Sequence, residues 1–391
     1  MTAHAKLGAS NAHRWMVCPG SVSAEDGLPD QTSAFAQEGT DAHELAEQAL
    51  RMAHLPPDHV EKRDWGKYAD IKSNEYLDLL EDQAMADYVR VYTDYVNRLA
   101  VDCDTIDIEQ RVSYADWVPG GFGTADAIIV KDDTLHVCDL KYGMGVRVDA
   151  EDNPQGMLYA LGAWAATELV YDVDTVKIHI IQPRLDHISE WEISVDALLR
   201  WAEFAKQCAE ATQDENAERV PGEKQCRFCK AKASCKALAD YTESIIMADF
   251  DDLENMPKAN TLTDDQMRVA LEAKPLIEGW LSAIEAQVRD RLQSGSDFPG
   301  YKLVEGRSLR QWVDDPDTVE TTLTDLLDQH AFVEPKLVSP SQAEKLLGKK
   351  NKSLISDLIV KPSGKPTLAP ISDKRPAINL TDDDFDACAD E

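Results

Sequence analysis

The sequence predicts a mixed α/β fold: a central mixed sheet flanked by helices, with a mainly helical extension at the C-terminal end. Three observations predict it. Strand-like segments near 105–113, 122–130 and 134–141 are rich in β-branched residues and separated by glycine and aspartate turns. An apolar helical run at 153–169 leads into another strand, Thr175 to Gln182, so the order is α-β-β-β-α-β. From Asp249 the composition changes to an acidic link, Asp251 to Pro257, followed by long helical periodicity.

Taken in order, Ser10 to Cys18 starts a short N-terminal segment. Phe35 to Met52 has helical spacing, and Thr40 can cap the stretch that puts His43 in its first turn. Pro56-Pro57 breaks that helix. Residues 73–100 form a long amphipathic helix. Gly121-Phe-Gly-Thr-Ala-Asp126 reads as a glycine turn entering a strand, and Thr134 to Lys141 as its hairpin partner across an Asp132-Asp133 turn. Pro154 then sits in the first turn of a helix. A strand near Ile188 to Ile193 and a helix at 195–213 lead to a compact group of cysteines. Beyond it, Thr263 to Gln293 is a long helix with an internal Pro275, Tyr301 to Trp312 a strand or hairpin, and 315–359 mostly helical. The domains therefore read as 1–248, 249–359 and a flexible acidic tail, 360–391, whose Pro, Lys and Asp content cannot bury enough apolar surface to fold alone.

Composition narrows the function. The chain has 391 residues and 43% hydrophobic content, enough for real cores, and no run approaches a membrane span. Eight cysteines without an apolar signal segment at the first residues predict a reduced, cytoplasmic setting, where clustered thiols mean metal. A net charge of -32 opposes a broad nucleic-acid surface, because phosphate contacts need cations. The cations are nonetheless concentrated: Lys224, Arg227, Lys230, Lys232 and Lys236 surround the cysteines, Arg307 and Arg310 follow the Gly300 strand, and Lys345, Lys349, Lys350 and Lys352 form another run.

Asp126, Asp139, Lys141 and His43 together describe metal-assisted phosphodiester hydrolysis. Two carboxylates and an imidazole can hold a hard divalent cation, which polarises phosphate and acidifies water. Asp139 and Lys141 are two apart on a strand, so they share one face and Leu140 turns away. Gln155 and Tyr159 are four apart, on one face of a helix. Glu109, on the strand Thr105 to Val112, is an extra candidate whose plainer reading is structural. Cys18 joins Cys226-x2-Cys229-x5-Cys235, a thiolate set suited to a [4Fe-4S] cluster or to Zn2+. Cys103, Cys138, Cys208 and Cys388 stand apart, Cys138 facing away from Asp139 as a core thiol.

The order His43, G-x-x-D ending at Asp126, D-x-K at Asp139 to Lys141 and Q-x-x-x-Y at Gln155 and Tyr159 resembles the RecB-like branch of the PD-(D/E)XK nuclease superfamily. With Cys18, Cys226, Cys229 and Cys235 it is similar to AddB and the CRISPR-associated RecB-like exonucleases, over roughly residues 10–240. The resemblance implies a restriction-endonuclease-like core. It implies Mg2+ or Mn2+ on His43, Asp126, Asp139 and the Leu140 carbonyl, Lys141 assisting the water, Gln155 and Tyr159 holding DNA, and a [4Fe-4S] cluster on the four cysteines. Asp139 stands where many relatives have Glu, and either carboxylate ligates magnesium. The whole chain also resembles a phage and prophage family, in Gly300-Tyr-Lys-Leu-Val-Glu-Gly-Arg-Ser308 and Lys361-Pro-Ser-Gly-Lys-Pro-Thr367. This implies an exonuclease of phage or prophage DNA recombination, acting in the bacterial cytoplasm on single strands or duplex ends. Its partners would be DNA and a recombination protein such as a single-strand annealing protein, with an oligomer as one arrangement. The alternatives are a nuclease-fold DNA-binding protein that cuts little and a zinc-stabilised scaffold for a recombination partner.

Overall fold

The computed structural model describes residues 5–29, 34–54, 77–78, 82–248, 264–306, 311–313, 315–327, 332–333, 336–337, 339–360, 366–370 and 376–377. The chain divides into two compact units, Met1–Gly279 and Trp280–Glu391. The expected boundary at 248/249 thus moves to within the long helix that follows. Among the described residues no helix is long and apolar enough to cross a membrane.

The first unit opens with short helices α1 (Ala12–Trp15) and α2 (Gly20–Glu25), then α3 (Ala34–His54) and α4 (Gln83–Leu99). Five strands follow: β1 (Thr105–Ser113), β2 (Phe122–Lys131), β3 (Thr134–Leu140), then, after helix α5 (Pro154–Thr167), β4 (Thr175–Gln182) and β5 (His187–Ser194). Helices α6 (Val195–Ala211), α7 (Glu223–Cys226) and α8 (Lys236–Ala248) follow, with Cys229 and Cys235 between α7 and α8. The sheet order is β1-β2-β3-β4-β5, a mixed sheet in which only β3 and β4 run parallel. A parallel pair needs a crossover, and α5 supplies it. Asp132 takes a positive φ of 54° in the β2–β3 turn, a conformation short aspartate side chains tolerate.

Helices cover both faces. Val112, Ala125, Ile128, Val130, Val137 and Ile178 pack with Met157, Leu158 and Leu161 of α5 and Leu198 of α6. Ile108, Ala127, Ile129, Cys138, Leu140 and Ile181 pack on the other side with Ala42, Leu45, Ala46 and Ala49 of α3 and Val89, Tyr92 and Val96 of α4. The spacing of those α3 and α4 residues is the stripe that one face of a 3.6-residue helix presents. Cys138 and Leu140 share the α3/α4 side, as strand alternation from Asp139 requires.

That alternation slips once. On β1, Ile108 lies on the α3/α4 side but Val112, four residues on, lies on the α5 side. On β2, Ala125 lies on the α5 side and Ala127 on the other. The register is continuous, Ile108 opposite Ala127 and Gln110 opposite Ala125, so Glu109 and Asp126 flank the slip from opposing strands. Glu109 has φ +50°, a left-handed conformation that reverses the pleat there.

Three expectations are corrected. Thr40 is no cap, because α3 is already helical from Ala34; its hydroxyl donates to Ala36 O at 3.1 Å, and His43 lies well inside the helix. The helix expected from 73 begins at Gln83 with Asp82 as cap, Met85 N donating to Asp82 Oδ1 at 3.0 Å; residues 73–76 and 79–81 are outside the described ones. In the second unit, helix α9 (Asp264–Gln293) is shared across the boundary, and β6 (Tyr301–Glu305) and β7 (Gln311–Trp312) do not pair with each other. Further along come α10 (Pro316–Leu327), the two-residue strands β8 (Phe332–Val333) and β9 (Lys336–Leu337), α11 (Pro340–Asn351), β10 (Ile359–Val360) and β11 (Pro366–Pro370). Strand β7 pairs with β10 and β6 with β11, so the segment read as tail contributes a strand through residue 370. A small core of Val319, Leu323, Ala343 and Ile355 holds this unit.

Candidate functional site

The site lies where β2 and β3 part. Their ladder ends at Ala127 opposite Cys138, leaving Asp126 and Asp139 beyond the last paired residues. Asp126 Oδ2 accepts the Leu140 amide at 2.6 Å, and its Oδ1 lies 3.4 Å from His43 Nδ1 on α3. Leu140 itself points into the α3/α4 core. Ligand atoms of His43, Asp126 and Glu109 all lie within 4.8 Å of one another, close enough to share a cation. The pleat slip makes this grouping: it turns Glu109 and Asp126 toward the helix that carries His43. A non-glycine left-handed residue costs about 1–3 kcal/mol and persists where the surroundings enforce it.

Asp139 and Lys141 sit on the α5 side, as alternation predicts. Lys141 Nζ lies 2.8 Å from Asp139 Oδ2 and donates to Gln155 Oε1 at 2.9 Å. Gln155 Nε2 donates to Asp139 Oδ1 at 2.9 Å and lies 3.4 Å from the Tyr159 hydroxyl. Four of the predicted site residues thus form one chain of contacts. Gly123 of the G-x-x-D segment lies under the Tyr159 ring, where a Cβ would stand 2.6 Å from Cε1. Glycine there lets α5 approach, which ties the G-x-x-D and Q-x-x-x-Y spacings to one packing event.

The electrostatics match a cation site. Burial lowers the His43 pKa, but the charge and hydrogen bond of Asp126, then Asp139 and Glu109, outweigh it and raise it to about 9. Burial, then Asp126 and Glu47, raise Glu109 to about 8. Asp139 is raised as well, by burial against the pull of Lys141. At this site the buried Tyr92 hydroxyl has no hydrogen-bond partner, and Asp139 Oδ2 is held by the Lys141 ammonium at 2.8 Å. Tyr92 is fully buried, and burial, then the nearby carboxylates Asp126, Asp139 and Glu109, raise its pKa well above the ordinary phenol value. The carboxylate and imidazole donors of His43, Glu109 and Asp126, set this close together, fit a hard divalent cation.

Cys18, Cys226, Cys229 and Cys235 line one cavity of about 20 Å³. Val220 N donates to Cys18 Sγ at 3.2 Å and Gly222 N to Cys226 Sγ at 3.4 Å, bonds that favour thiolate over thiol. Burial, then Glu25, pushes Cys229 up to about 11, and burial also raises Cys18 and Cys226. Such thiols ionise when a metal binds them. Gly20 N bonds Glu218 O at 2.9 Å, and a Cβ on Gly20 would run into Ala217 O. Arg14, nearly fully buried, donates to Phe228 O at 2.9 Å and pairs with Glu25 at 3.0 Å. The two ends of the unit are therefore laced together around the cysteines. Among the described residues, His43, Glu109 and Asp126 are the metal-capable group within the 4.8 Å limit; no three cysteine sulfurs meet it.

Sequence reasoning undervalued Glu109 and missed Tyr92. Both look ordinary, a strand carboxylate and a helix aromatic; only the slip in pleat and the α4 packing bring them in. Arg307, Arg310, the side chains of Lys345, Lys349, Lys350 and Lys352, and the tail from Thr381 lie outside the described residues.

Fold and site define an α/β protein with a candidate divalent-metal centre at the open end of a mixed sheet. The chain belongs to the family described as "Protein of unknown function (DUF2800)", which matches residues 4–376. A solved structure titled "Crystal structure of SSO0001" is similar at 18% identity over 59% of this chain and 85% of that chain; its TM-score of 0.27 is too low to bear on fold or function.

Proposed function

We propose that this chain is a divalent-metal-dependent deoxyribonuclease of the RecB-like PD-(D/E)XK type, an exonuclease of phage or prophage DNA processing with a [4Fe-4S] clasp. The observation that carries the reading is adjacency: His43 with Asp126, and Asp139 with Lys141, Gln155 and Tyr159, form two contact sets on neighbouring strands. The sets are linked where Asp126 Oδ2 accepts the Leu140 amide, with Asp139 outside the cation-sized group of His43, Glu109 and Asp126. His43, Asp126, Asp139 and the Leu140 carbonyl, with Glu109 beside them, would hold Mg2+ or Mn2+. The bound ion supplies phosphate polarisation and a more acidic water. Lys141, steered by Gln155 Oε1, offsets negative charge developing on the phosphate. Gln155 and Tyr159 offer polar atoms along the same edge to position the strand. Cys18, Cys226, Cys229 and Cys235, which line one cavity, would hold the cluster, with Zn2+ as the alternative metal for four thiolates.

End-labelled single-stranded, blunt and nicked DNA, digested with Mg2+ or Mn2+, tests the reading. Wild type is expected to cut, and Lys141→Ala to lose about 10²–10³-fold in rate. Cleavage that survives in both Lys141→Ala and Asp139→Ala rejects it. The net charge of -32 favours a second reading, a DNA-binding protein that cuts little, and wild type without metal-dependent turnover would select it. A brown protein absorbing at about 400 nm separates the cluster from zinc.

A further inference from the structure

We infer that Phe228 is a base-stacking contact that holds single-stranded DNA beside the metal centre. The inference rests on the nuclease reading and names a contact that reading does not contain. Phe228 lies between cluster residues Cys226 and Cys229, yet it is 66% exposed. Its backbone is clamped all the same. The buried Arg14 donates to its carbonyl at 2.9 Å, Lys232 Nζ donates to Arg227 O at 2.9 Å, and Glu25, paired with Arg14, accepts Lys230 N at 2.7 Å. A large ring held in water on a fixed backbone is preorganised for a flat apolar partner, because little freedom remains to be lost on binding.

Charge selects that partner. Residues 223–236 carry Lys224, Arg227, Lys230, Lys232 and Lys236; Arg227 pairs with Glu223 at 2.6 Å and Lys236 with Asp240 at 2.8 Å, and the loop still keeps a surplus of cations in a chain of net charge -32. An aromatic face amid cations suits stacked bases with phosphates alongside. Position links it to the chemistry. Helix α1 packs Ala12 and Trp15 into the same core as α5, the helix of Gln155 and Tyr159, and its Arg14 holds Phe228 O, so one short helix joins the site's helix to this loop. Bases inside a duplex are already stacked on one another, so the ring favours an unpaired strand.

Binding is measured by fluorescence anisotropy, with fluorescein-labelled oligothymidine of about twenty nucleotides and with a blunt hairpin duplex, both in Ca2+ to suppress cleavage. Phe228→Ala should weaken oligothymidine binding about 5- to 100-fold and duplex binding far less, while Phe228→Trp retains wild-type affinity. Phe228→Leu keeps apolar bulk without a π-face and should resemble the alanine variant. The absorbance at about 400 nm, unchanged in each variant, shows that the clasp is intact. Equal affinity of wild type and Phe228→Leu for the single strand overturns the inference, as does an equal loss on duplex or a wild type that binds no single strand. A protein that binds through Phe228 yet cuts no DNA in Mg2+ sinks the nuclease reading and leaves this contact standing.

Discussion

Asp126 serves two neighbours at once, facing His43 with one oxygen and accepting the Leu140 amide with the other. Asp126→Ala therefore strands a backbone N–H at a strand end, at a cost of about 1–3 kcal/mol, partly offset by relief of repulsion with Asp139 and Glu109. Asp126→Asn keeps an acceptor, so it should unfold in urea at a higher midpoint than the alanine variant, with both inactive. Equal midpoints would show that the Leu140 bond contributes nothing. Protons report the same cluster. Glu109, raised to about 8, stabilises the metal-free fold fully below the ordinary carboxylate pKa of about 4.3, and that stability is lost as pH rises through 8. His43, raised to about 9, contributes fully below about 6.5 and loses its share through 9. A cation displaces both protons, so the melting-temperature gain from Mg2+ should grow between about pH 6 and pH 9. A gain that is flat with pH excludes these two groups as ligands. Residue types and order made His43, Asp126, Asp139, Lys141, Gln155 and Tyr159 legible in the sequence. Glu109 was not, because no local signal announces a left-handed residue inside a strand.

The sheet's order and its hairpin were legible because glycine and aspartate mark the turns and α5 has the length a parallel crossover needs. The pleat slip was not, since it depends on two opposing strands, and neither were the partners of β6 and β7, which arrive more than forty residues later. Two substitutions probe the elements. Gly123→Ala pushes a methyl group against the Tyr159 ring and should cost about 1–3 kcal/mol, together with activity, as α5 is forced off the strand. Unchanged urea unfolding would mean that the ring moves freely aside. Glu109→Gly removes the left-handed penalty and a buried carboxylate, so the metal-free protein should gain about 1 kcal/mol while the stabilisation by Mg2+ falls. A destabilised glycine variant would show that the slip is relaxed rather than held.

At the scale of the whole molecule, the proposed clasp would close a loop of about two hundred residues between Cys18 and Cys226. Cys229→Ala is expected to lower solubility and thermal stability, not merely turnover, since metal bonds and chain closure are lost together. A variant as soluble and as stable as wild type would show that the clasp adds nothing to the fold. The lacing of Gly20 and Arg14 to residues 218 and 228 also has a meaning in time. Translation delivers His43 through Tyr159 well before Cys226, Cys229 and Cys235. A chain interrupted before Cys226 already contains every residue of the candidate site and the Gly20 bond to residue 218, but neither the Arg14 bond to residue 228 nor the three thiols that face Cys18, so residues 226–235 distinguish a finished domain from an abandoned one.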